Sequence, residues 1–135
     1  REKVQEENAR FSRVDLLQPW PFETESVDLI VCNLVLEHLE DLQYVFSEAS
    51  RVAVNKGTFF VSELHPFQQY QGKKAAFHHD GKINEIPAFV HHISDFFDAA
   101  RNSGFSVSDI QEWWTGENRN DPPKLISFLF TKNKG

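Results

Sequence analysis

The chain has 135 residues, of which 40% are hydrophobic and 25% charged, with a formal net charge of −6. This composition fits one folded domain with a real apolar core and excludes a disordered chain or a two-domain enzyme. No apolar run approaches the roughly 20 residues needed to cross a bilayer, and the acidic balance disfavours broad contact with nucleic-acid phosphate or an anionic membrane surface.

The start of the chain, Arg1-Glu2-Lys3-Val4-Gln5-Glu6-Glu7-Asn8, is charged and helical in character, not a secretory leader. The single Cys32 cannot form an internal disulfide, so a reducing, cytoplasmic setting is expected. There are 13 Phe and no Met. With no initiator at its head, the chain is expected to be a piece cut from a longer protein.

In chain order, Arg1 to Asn8 reads as the last turns of a helix. Phe11 to Leu16 alternates apolar and polar residues, which predicts a short strand. Pro19-Trp20-Pro21-Phe22 breaks regular structure. Val27 to Cys32 is a nearly continuous apolar run, as in a strand covered on both faces. Leu42, Val45, Phe46, Ala49, Val52 and Ala53 recur at helical spacing, and Asn55-Lys56-Gly57 closes that helix. Thr58 to Leu64 is the next buried strand, stopped by His65-Pro66.

Phe67 to His92 shows little period and is expected to be a functional excursion, with a turn at Asp80-Gly81. Ile93, Phe96, Phe97 and Ala100 mark a second helix, with Gly104 as its C-terminal cap. Phe105 to Trp114 and Leu125 to Phe130 read as two consecutive strands joined by a polar loop, and Lys132 to Gly135 as a frayed tail. Strands alternating with helices predict an α/β sheet, largely parallel, closed by an antiparallel hairpin.

The stretch Asp15-Leu16-Leu17-Gln18-Pro19-Trp20-Pro21-Phe22, followed by Ser26-Val27-Asp28-Leu29-Ile30-Val31-Cys32-Asn33-Leu34-Val35-Leu36-Glu37-His38-Leu39, resembles the middle of class I S-adenosylmethionine (SAM)-dependent methyltransferases of the small seven-strand type. Arg51-Val52-Ala53-Val54-Asn55-Lys56-Gly57-Thr58-Phe59-Phe60-Val61 is similar to the turn into that family's fifth strand, with Lys56 in place of one turn glycine. The resemblance implies a Rossmann-like α/β fold of strand order 3-2-1-4-5-7-6. It covers nearly the whole chain but omits the Gly-rich turn after the first strand, because no Gly precedes Gly57.

The expected fold is therefore one incomplete methyltransferase domain over residues 1–135, lacking the family's first two strands, with residues 66–92 as a cap on the acceptor side. The fourth family strand, Val27 to Cys32, should then be an exposed apolar edge, open to a homo-oligomer or a swapped assembly.

Residue roles follow from the same resemblance. Asp15 and Leu16 match the pair that reads the adenine edge of SAM, as acceptor and backbone donor; taken without that resemblance, Asp15 reads rather as a loop-capping carboxylate. Asn33 and Leu34, at the carboxyl end of a strand, match the lining of the methionine part. His38 and His65 are the candidate general bases, each balanced by a packing or capping role. Glu63 and Tyr70 are candidate acceptor-binding residues. The paired His78-His79 and His91-His92 are poorly spaced for one metal ion, so no metal is expected.

The implied reaction is in-line methyl transfer from SAM to a small-molecule acceptor. A non-catalytic module that binds through its open edge is the alternative.

Overall fold

A computed structural model describes residues 8–71, 76–79, 82–85 and 88–133. The expected helix end at Arg1 to Asn8, the Asp80-Gly81 turn and the last two residues of the tail lie wholly or almost wholly outside the described residues.

The elements run β1 (Val27–Asn33), a 3-10 turn (Leu36–His38), α1 (Leu42–Val52), β2 (Ala53–Leu64), α2 (Pro66–Tyr70), β3 (Ala76–His79), β4 (Lys82–Glu85), α3 (Ile93–Asn102), β5 (Phe105–Trp113) and β6 (Leu125–Lys132). Four strands form one sheet in the order β1-β2-β6-β5, and β3 pairs with β4 separately. β1 runs parallel to β2, whereas β2–β6 and β6–β5 are antiparallel. The α/β class and the closing antiparallel hairpin are as the sequence reads. The sheet itself is mixed, with β6 inserted between β2 and β5.

α1 starts where Asp41 accepts the Tyr44 N–H at 2.9 Å, a side-chain cap on an otherwise orphaned donor. It ends at Val52, and β2 follows at once. Between the pairs Val27↔Ala53 and Leu29↔Thr58 the register jumps, so Val54 to Gly57 bulge out of the ladder. Lys56, in the place of the family's turn glycine, takes the left-handed conformation itself, at φ 69°. Gly57 is then required: a Cβ there would lie 2.8 Å from the Val54 carbonyl oxygen. α3 closes on Gly104 at φ 85°, as its position predicts. Lys132, expected in a frayed tail, instead ends β6, and its Nζ donates to the Ala53 oxygen at 2.8 Å.

Phe11 to Leu16 is not a strand. Alternation supplies a face, but a strand also needs a neighbour to receive its backbone bonds, and no described strand lies beside it. Side chains hold this region instead. Arg51 of α1 donates to the Trp20 and Phe22 oxygens, both at 2.9 Å, and Glu48 accepts the Trp20 N–H at 2.8 Å. Glu48 and Arg51 also pair with each other through two hydrogen bonds of 3.0 and 3.1 Å. That pairing holds the Glu48 carboxyl below its ordinary range.

The core lies between the sheet and the pair α1 and α3. Its centre is aromatic: the Phe46 ring meets Phe59 at 5.1 Å and Phe130 at 5.3 Å, both edge-on, and Phe96 stacks on Phe128 at 4.9 Å. Edge-on and offset rings add to plain area burial. On the opposite face of β1, Leu29 and Val31 are 59% and 60% exposed, and among the described residues β1 pairs with β2 alone. Among the described residues, no helix is long and apolar enough to cross a membrane.

Phe46, fully buried at the meeting point of β2, β6 and α1, is the most demanding packing position. Phe46→Ala is expected to cost about 3–5 kcal/mol in denaturant unfolding, against less than about 1 kcal/mol for the exposed Phe22→Ala.

Candidate functional site at the carboxyl ends of β1 and β2

In open α/β sheets, ligands bind where the strands end. Here the carboxyl end of β1 is shaped by one turn. Leu34 adopts φ 56°, a left-handed conformation that costs a branched residue on the order of 1–2 kcal/mol. Its N–H still reaches the Ser62 oxygen of β2 at 2.8 Å. The chain then folds back, so that the backbone N–H groups of Val35, Leu36 and Glu37 converge.

They converge on Glu63. Its Oε2 accepts from Val35 at 3.1 Å and Leu36 at 3.0 Å, and its Oε1 from Glu37 at 3.4 Å. Successive backbone donors of this kind form an anion-binding concavity. In this chain the concavity is filled by the chain's own carboxylate. Glu63 is only 2% exposed, and this burial pushes its carboxyl up from the ordinary range, against the three donors that pull it down. Burial, with Glu63 nearby, also pushes the Cys32 thiol up to about 12, so the thiol stays neutral and a poor nucleophile. Glu63 thus shapes the site from beneath and faces away from solvent.

His65 is similarly committed. Its Nδ1 accepts the Phe67 N–H at 3.1 Å, capping α2, which places the ring proton on Nε2. Nε2 then donates to Glu112 of β5 at 2.8 Å. Both ring nitrogens are engaged, and the residue is 8% exposed. Action as a base would first require giving up one of these bonds.

The other predicted residues are more open. Asp15 is exposed, and its Oδ1 accepts the Leu17 N–H at 2.9 Å, the loop-capping arrangement. Leu16 lines an apolar cavity of about 200 Å³ with Val14, Trp20 and Phe22 on one wall and Ile30 and Cys32 of β1 on the other. Asn33 and Leu34 are exposed at the strand end. His38 sits on the 3-10 turn, its Nε2 3.6 Å from Glu37. Tyr70 is exposed and hydrogen-bonds His92 Nδ1 at 2.6 Å.

Residues 89–92 strap these parts together. The Phe89 N–H donates to the Glu37 oxygen at 2.7 Å, Gln69 Nε2 donates to the Phe89 oxygen at 3.2 Å, and His91 Nε2 bonds the Leu39 oxygen at 2.7 Å. The 3-10 turn with His38 and the helix with Tyr70 therefore share one end of the sheet. Asp15 and Leu16 lie apart, beside the core-facing side of β1. Sequence reasoning missed Glu112 and gave His92 no role beyond the unsuitable His pair. Glu112 becomes visible only with register, since Glu63 and Glu112 both stand opposite Ile126 on β6. The side chains of His78 and His79 lie outside the described residues.

The account of Glu63 is checked by two substitutions. Glu63→Leu strands the Val35 and Leu36 donors and is expected to cost about 2 kcal/mol or more. Because the carboxyl is raised in the folded state, its stabilisation is fully present below the ordinary glutamate pKa of 4.5 and is lost as pH rises through the folded value. Glu63→Gln keeps an acceptor without the titration, so its stability should be flat where that of the native chain falls with pH.

Comparison with known proteins follows the same geometry. Residues 1–61 match a family model described as a methyltransferase domain. No curated protein matches. Among solved structures, a protein from Listeria monocytogenes provisionally assigned as an S-adenosylmethionine-dependent methyltransferase superposes with TM-score 0.77 at 12% identity, covering 98% of this chain and 73% of that one. An S-adenosylmethionine-dependent methyltransferase from Mesorhizobium loti gives TM-score 0.71 at 16% identity, covering 90% of this chain and 68% of that one. A cyclase, SpnF, gives TM-score 0.64 at 13% identity, covering 93% and 56%. The strand order β1-β2-β6-β5 reproduces the 4-5-7-6 part of the family sheet. Together with the match over residues 1–61, it identifies the chain as one of the class I SAM-dependent methyltransferase fold.

Proposed function

We propose that the protein is a SAM-dependent methyltransferase acting on a small-molecule acceptor by in-line transfer. The observation that carries this reading is local. The matched residues 1–61 contain the Asp15–Leu16 loop beside an apolar cavity and the Asn33–Leu34 turn at the carboxyl end of β1. A cavity walled by Leu16, Trp20 and Phe22, with the exposed Asp15 carboxylate nearby, fits the flat face and polar edge of an adenine ring.

Bound SAM would bring a methyl group already activated by its sulfonium, so the chain's work is alignment and exclusion of water. Asp15 would accept from the adenine amino group through the oxygen that does not cap Leu17, and Leu16 would donate from its backbone. Asn33 and Leu34 would line the methionine part. Glu63 acts indirectly by fixing the turn, because its oxygens are already taken by backbone donors. Both ring nitrogens of His65 are already bonded, so it could act as a base only by giving up one of those bonds; His38 is the other candidate base. Residues 66–92 then form the acceptor-side cap of the domain.

Calorimetric titration of SAM into the full protein tests this reading. Saturable binding is expected, weakened about tenfold by Asp15→Ala, the scale of one lost hydrogen bond to a charged group. Absence of saturable binding would overturn the reading.

A further inference from the structure

The acceptor side carries a feature that the fold alone does not require. Phe67 and Tyr70 lie three residues apart on α2, hence on one face of the helix. They are 38% and 57% exposed, and Phe89 and Val90 on the adjoining strap are 36% and 50% exposed. Gln69 joins the helix to the strap through the Phe89 oxygen, and Tyr70 joins it through His92. Large apolar side chains left at the surface together, at the ligand end of an α/β sheet, mark a binding surface.

Beside this patch stands one polar pair. The Tyr70 hydroxyl and His92 Nδ1 are 2.6 Å apart, with ring centroids 5.5 Å apart. Asp95 on the first turn of α3 accepts the His92 N–H at 2.7 Å and holds the residue in place. The second ring nitrogen, Nε2, has no hydrogen bond among the described residues, although the residue is exposed. When Nδ1 carries the proton toward the Tyr70 oxygen, Nε2 presents a lone pair, which can take a proton from a ligand hydroxyl.

We propose that α2 and the 89–92 strap form an acceptor site for a planar phenolic molecule, with Phe67 and Phe89 flanking the ring and the Tyr70–His92 pair taking the hydroxyl proton. The proposal rests on the methyltransferase reading and names its substrate class. As the phenol oxygen–methyl bond forms and the sulfonium sulfur–methyl bond breaks, the phenolic proton passes to His92 Nε2, leaving S-adenosylhomocysteine and the methyl ether. An apolar flank suits the ring, and an acid–base pair at its edge suits a hydroxyl that must ionise.

p-Nitrophenol is a direct probe, because its absorbance reports both binding and ionisation. Titrated against the full protein, it should bind saturably and ionise at lower pH than it does free. Tyr70→Phe and His92→Gln should each weaken binding about fivefold or more and abolish the shift in ionisation. Nitrobenzene, which lacks the hydroxyl, should bind more weakly than p-nitrophenol. SAM affinity, measured in the same variants, should stay within about twofold of the native value. The proposal is overturned if p-nitrophenol shows no saturable binding, if both variants bind and ionise it like the native protein, or if nitrobenzene binds equally well. Loss of SAM binding in the native protein alongside intact p-nitrophenol binding would instead count against the methyltransferase reading alone.

Discussion

Three backbone N–H groups at the end of β1 point at one buried carboxylate, Glu63, and the arrangement of the ligand end depends on it. Without an acceptor in that position the left-handed turn at Leu34 would leave two or three donors unpaired in a place that water reaches poorly. With it, the turn is fixed, Asn33 and Leu34 stand open, and the strap from Phe89 can dock on the Glu37 oxygen. A buried carboxylate without a cationic partner is costly. Here the cost is offset by backbone donors and is visible as a carboxyl pushed upward by burial.

The remainder of the architecture supports this end from behind. An aromatic core of Phe46, Phe59, Phe105, Phe128 and Phe130 fixes α1 against the three strands β2, β5 and β6. His65 and Glu112 tie the end of β2 to β5 and cap α2 in the same stroke. The opposite margin is less complete. Among the described residues, β1 has a neighbouring strand on one side only, and Leu29 and Val31 face outward. The segment before it is held by Arg51 and Glu48, through carbonyls and one amide, rather than by a ladder.

Elements whose signal is local were legible in the sequence. The apolar run of β1, the helical spacing of α1 and the Gly104 cap each follow from residues a few positions apart. Phe11 to Leu16 was misread because alternation describes a face and says nothing about a partner strand. The candidate site residues come from resemblance, and the structure shows only what each of them touches. Glu63 and His65 have the side-chain chemistry of catalysis, yet their atoms are committed to the turn and to Glu112. Those commitments join residues 26–47 positions apart and depend on strand register, which composition and spacing do not carry. Tyr70 and His92 become a pair only through the strap.

Fold and chemistry remain separate statements, and the comparisons themselves show it, since the same architecture is carried by methyltransferases and by a cyclase. The central proposal is therefore about place: SAM would span from the Asp15–Leu16 loop to the turn that Glu63 holds. Backbone amide NMR during a SAM titration tests it most directly. The account predicts that the amides of Leu16, Asn33 and Leu34 shift with SAM and that those of Val35 and Leu36, bonded to Glu63, move much less. Shifts confined to β5 and the outer face of β6, or large movement of the Val35 and Leu36 amides with the Leu16 amide unmoved, would contradict it.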